Sequence, residues 1–151
     1  MIPSSALLLV GAWHLNAAQA AGPLRGIPVA QDTSTARYAA DLVGSDAPSR
    51  AYAARVLLRR ARSAWRLAAS DTNDLASLEA RQILVEFDEL VAPRCTRLVS
   101  QDNTVRACSI ILGLLETKPA LPILKERLKQ PTTRCERRAV AQAIERIEGS
   151  Q

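Results

Sequence analysis

From about Thr33 to Glu148, apolar residues recur at the spacing of a helix face, broken at intervals by Asp, Pro and Gly. A period near 3.6 points to helices, because a half-buried strand needs strict alternation instead. Composition strengthens that inference. Aromatic residues make up only 3% of the chain although hydrophobic residues reach 48%, so the core has to be assembled from Ala, Leu, Ile and Val. Ala and Leu keep most of their rotamer freedom in a helix and let helices pack closely. At 151 residues with 23% charged, the chain has the size of one domain and is too apolar for disorder. The expected fold class is all-α.

A first short helix is expected from Ser34 to Val43, with Gly44 in the left-handed position beyond its end. Asp46 is placed to cap the next helix, with Pro48 in its first turn, where a missing N–H costs nothing. Arg50 to Ala69 contains no breaker, and Ala54, Leu58, Ala61, Trp65 and Ala68 form one stripe along it. A third helix, about Asp74 to Val91, carries Ala80, Ile83, Leu84, Phe87, Leu90 and Val91 at face spacing. Pro93 opens a short helix to Ser100 with Cys95, Leu98 and Val99 inward. Asp102 is expected to cap a helix with Val105, Cys108, Leu112 and Leu115 inside. Pro119 starts the next, with Leu121, Leu124 and Leu128 inside, and Pro131 breaks it. Thr133 and Glu136 have the spacing of a capping box ahead of Ala139, Val140, Ala143, Ile144 and Ile147.

The second half is periodic. Pro93 and Pro122 lie 29 residues apart, Asp74 and Asp102 28, and Asp102 and Pro131 29. A helix–turn–helix unit of that length suggests a solenoid, in which each unit buries its apolar face against its neighbours. Asp102-Asn103-Thr104-Val105-Arg106-Ala107, Leu112-Gly113-Leu114-Leu115 and Pro119-Ala120-Leu121-Pro122-Ile123-Leu124 together resemble a HEAT-like repeat of the short bacterial type. The resemblance covers residues 101–148 well, 72–100 loosely, and departs at 33–70, where one long helix replaces a hairpin. It implies a short right-handed α-solenoid of antiparallel helix pairs with a helical N-terminal cap. It also implies binding of a partner on a curved helical surface, with catalysis by the repeat itself seldom found.

Residues 1–20 contain no Lys, Arg, Asp or Glu. Their apolar run from Ala6 to Trp13, followed by Ala18-Gln19-Ala20, resembles a secretory signal peptide with an A-x-A cleavage site. The lack of a basic residue before the run departs from that pattern, and a disordered apolar tail or an additional packed helix is the competing reading. The run is too short to span a bilayer, which takes about 20 residues. The expected organisation is a signal peptide at 1–20, a flexible leader at 21–32 and one helical domain at 33–148. The mature chain would carry no transmembrane segment and would reside in the periplasm or outside the cell.

The side chains argue against catalysis. The single histidine, His14, lies in the expected signal segment, so the mature chain has no Ser-His or Cys-His couple. No zinc spacing or phosphate-cradling glycine loop occurs, and no cofactor or metal is expected. Glu86, Asp88 and Glu89 read as a solvated acidic face, since a hard cation needs more oxygen ligands at fixed positions. Each of Cys95, Cys108 and Cys135 falls on the expected inner face of its helix. All three fit as buried apolar residues, and Cys95 with Cys108 is the pair that could form a disulfide.

The sharpest surface feature is Arg55, Arg59, Arg62 and Arg66, spaced by four, three and four, with no acid between Asp46 and Asp71. Such a row attracts anionic surface, and the planar guanidinium suits carboxylate and phosphate; a solvated face with counter-charges on other helices is the plainer alternative. The expected function is an exported helical-repeat module binding an acidic protein partner, as adaptor, scaffold or stoichiometric inhibitor. Nucleic-acid or anionic-lipid binding through the arginine face is the alternative, with nucleic acid disfavoured by export and by the scarcity of aromatic stacking platforms.

Overall fold

A computed structural model of the chain describes residues 34–70, 74–100, 104–130 and 132–150. Their regular elements are all helical: α1 (Thr35–Leu42), α2 (Ala47–Ala68), α3 (Leu75–Leu90), α4 (Ala92–Leu98), α5 (Val105–Leu114), α6 (Leu121–Lys129) and α7 (Arg134–Gly149), with a 3-10 turn at Lys118–Ala120 leading into α6. The expected signal segment, the leader, Asp102 and Pro131 lie outside the described residues. Among the described residues no helix is long and apolar enough to cross a membrane.

Local chemistry sets most of the helix starts. The side chains of Ser34, Asp46 and Asp74 accept from the backbone N–H three residues on, at 3.3, 2.8 and 2.8 Å, satisfying donors that the first turn leaves unpaired. The Ser49 hydrogen bonds, helped by the nearby Arg50 charge, hold the Asp46 carboxyl below its ordinary value of 3.8. At α7 the capping box is complete: the Glu136 N–H donates to Thr133 at 3.2 Å, and the Thr133 N–H donates to the Glu136 carboxylate at 3.0 Å.

The end of α1 departs from expectation. Gly44 stays out of the left-handed region, and α1 closes through Val43 at φ −102°. Gly113 lies in the last turn of α5. The left-handed residue after α5 is Glu116, at φ 53°. It lets the Thr117 N–H reach back to the Leu112 carbonyl at 3.1 Å, a Schellman closure built on a residue other than glycine.

α5 is the hub. It buries Val105, Cys108, Ser109, Ile111, Leu112, Gly113 and Leu114, on almost every side of the helix, as a nearly all-apolar helix should. Its neighbours are α2, α4 and α7, while α7 also rests on α6, and α2 lies across α1, α3 and α5. One continuous core therefore joins Leu42, Leu57, Phe87, Cys95, Ile111, Leu124 and Ile147, contributed by different helices. A ladder of repeats would set α3 beside α5. Here α2 takes up that side of α5.

That placement rotates the buried face of α2. Ala53, Ala54, Leu57, Ala61 and Ala64 are buried, whereas Leu58 and Trp65 from the expected stripe are only half-buried. Contact on two flanks of α2 explains the shift, and the run of alanines allows the close approach. Cys135 is also corrected: it is exposed rather than inward, because it sits in the first turn of α7, ahead of the buried series that starts at Ala139. Farther along, Lys125 and Glu148 pair at 2.6 Å and tie α6 to α7.

A candidate arginine-rimmed cleft between three helices

The four arginines expected to form a stripe, Arg55, Arg59, Arg62 and Arg66, are all exposed along α2. They do not share one environment. Arg62 and Arg66 border a cleft of about 230 Å3 where α2, α5 and α7 meet, and Arg55 and Arg59 continue the row toward the start of α2. Across the cleft α7 contributes Arg146 and Gln142, and the floor includes Gly113, Leu114, Ala139 and Ala143.

The floor exists because two helix backbones come unusually close. A Cβ added at Gly113 would lie 2.8 Å from the Ala143 Cα and 3.1 Å from its Cβ, inside any tolerable contact. Glycine on α5 facing alanine on α7 leaves a shallow trough between the helices instead of a filled seam. Trp65 of α2 forms one wall, and the Arg146 guanidinium stacks over its ring at 4.9 Å from the centroid. Such a contact contributes about 0.5–1 kcal/mol at an exposed site. Stacking uses the face of the guanidinium and leaves its in-plane N–H donors available. Among the described residues, no ion pair within 4.0 Å engages Arg62, Arg66 or Arg146.

The charge around Trp65 is lopsided. On its other side Asp88, Glu89 and Glu116 border a second cleft together with Leu84, Val85 and Leu115, and Glu116 and Glu145 border a third with Arg146. The acidic cluster expected as a solvated face thus partly lines a groove. Asp88 and Glu89 are exposed, while Glu86 is half-buried. The basic cleft bordered by Arg62, Arg66 and Arg146 is thus flanked by acidic ones.

Cys95 and Cys108, on the adjacent helices α4 and α5, are buried, and all three cysteines are free thiols. Burial, reinforced by Cys108, pushes the Cys95 thiol well above the ordinary value of 9.0, so it is protonated and unreactive at neutral pH. Among the described residues no cluster of three or more His, Cys, Asp or Glu could hold a metal ion.

The sequence alone singled out Arg62 and Arg66 but not Arg146, Gln142 or Gly113, which line the same cleft. Arg146 and Gln142 are four apart on α7 and flank Ala143, so a shared face was readable. That this face meets α2 is a tertiary fact with no local signal. No protein-family model matches the chain, and comparison with curated proteins and with solved structures returns no match.

Proposed function

We propose that the chain is an exported binding module, acting without turnover, that docks an acidic protein partner on the arginine-bearing face of α2 and α7. The observation that carries this reading is the convergence of Arg62, Arg66 and Arg146 on one cleft without an intramolecular ion pair among the described residues. Arg55 and Arg59 extend the basic surface and steer the encounter. In this proposal α5 to α7 are the HEAT-like part, for which the packing of α5 on α7 is the supporting contact, and the helices before them form its cap.

The test is capture from periplasmic extract with the purified protein as bait, followed by titration of the captured partner. Arg59→Glu with Arg62→Glu is expected to leave helicity and melting nearly unchanged and to weaken binding by roughly tenfold or more, as reversal of charges facing an acidic surface should. Unaltered affinity would reduce the row to a solvated face. If the captured species is a nucleic acid or anionic lipid, with log affinity falling steeply and linearly in log salt, the alternative reading replaces this one.

A further inference from the structure

We infer that the cleft between α2, α5 and α7 is a carboxylate-anchoring site that takes the side chain of a single Glu or Asp from an acidic polypeptide segment, with Arg146 as its principal ligand. The inference rests on the acidic-partner reading and narrows it to one pocket and one functional group.

Three observations carry it. The first is the size and make-up of the cleft: about 230 Å3, with basic side chains at the rim and an apolar floor of Gly113, Leu114, Ala139 and Ala143. A carboxylate on a short methylene stem matches that layering, with its charge at the rim and its carbons on the floor. A fully hydrated phosphate gains nothing from an apolar floor and gives up water to reach it. The second is preorganisation. Arg146 is already held against Trp65, so part of the entropy of ordering a long side chain is spent before the ligand arrives. Its in-plane donors remain free to form paired hydrogen bonds with both carboxylate oxygens. The third is polarity: Asp88 and Glu89 on the far side of Trp65 repel the same carboxylate, and Glu116 and Glu145 close off the neighbouring cleft beside Arg146, leaving the Arg62 and Arg66 side as its approach.

The experiment is a fluorescence titration of the full chain carrying Trp13→Phe, which leaves Trp65 as the sole indole. The probe is an N-acetylated, C-amidated tri-glutamate peptide, with inorganic phosphate and pyrophosphate as separate arms. The peptide is expected to change Trp65 emission saturably. Arg146→Gln should weaken it roughly tenfold, the scale of losing a charge-assisted contact. Arg81→Gln, which removes the same charge from α3, should shift it less than about twofold, as screened distant charges do. Absence of a Trp65 response, equal losses in the two variants, or tighter binding of pyrophosphate than of the peptide would each overturn the assignment. Circular dichroism of Arg146→Gln separates lost binding from lost fold, and Arg146→Lys, which keeps the charge without the planar fork, should recover only part of the affinity. Peptide binding with these properties alongside failed partner capture would leave the pocket standing and reject the acidic-partner function. The reverse pattern would reject the pocket alone.

Discussion

Gly113 is the residue on which the cleft depends. Glycine inside a helix costs about 0.5–1 kcal/mol relative to alanine, so Gly113→Ala should stabilise α5 if only the helix mattered. The Ala143 backbone 2.8 Å from the added methyl reverses the sign. Neither helix can yield without shifting the packed core, and overpacking of this kind costs about 1–3 kcal/mol. The expected outcome is a lower melting temperature and a smaller denaturation midpoint for Gly113→Ala. An increase in either would show that α5 and α7 are farther apart than described. Arg146 teaches the converse lesson. Its identity and helix were legible in the sequence, but its partner Trp65 belongs to a helix far away along the chain. Only the fold brings the two together.

Among the elements, helix starts were the most legible feature, because capping is a dialogue between residues three apart. Asp46 and the Thr133–Glu136 box do what their spacing predicts, and Asp74 caps α3 in the same way. Helix ends were less legible: Gly44 invited a left-handed turn that α1 does not make, and Glu116, without a glycine to announce it, makes one after α5. The Asp46 cap has a pH signature. Its folded value lies below the ordinary 3.8, so its ionic contribution is present above that value and disappears as pH falls through the depressed folded value. Asp46→Asn keeps an acceptor but removes the charge. The denaturation midpoint of the native chain should therefore exceed that of Asp46→Asn at neutral pH, and the gap should close below about pH 3.8. A gap independent of pH would mean that the cap works without its charge. The buried face of α2 was misjudged by a partial turn, since one stripe cannot represent a helix contacted by α1, α3 and α5.

For the whole molecule, the all-helical class followed from periodicity and from the scarcity of aromatic residues. How the helices are arranged did not follow, because a repeat pattern records which faces are apolar and leaves open which neighbours cover them. α2 reaching across α3 onto α5 is the step no local pattern specifies, and the cleft exists because of it. Contact between Trp65 and α7 is therefore the central physical claim. Proton–proton nuclear Overhauser spectroscopy of the folded chain tests it without any substitution. Cross-peaks are expected between the Trp65 indole and the Arg146 side chain, and between the Gly113 α-protons and the Ala143 methyl group. A spectrum with both residues assigned in which Trp65 contacts no α7 proton, or Gly113 faces a helix other than α7, would contradict the account.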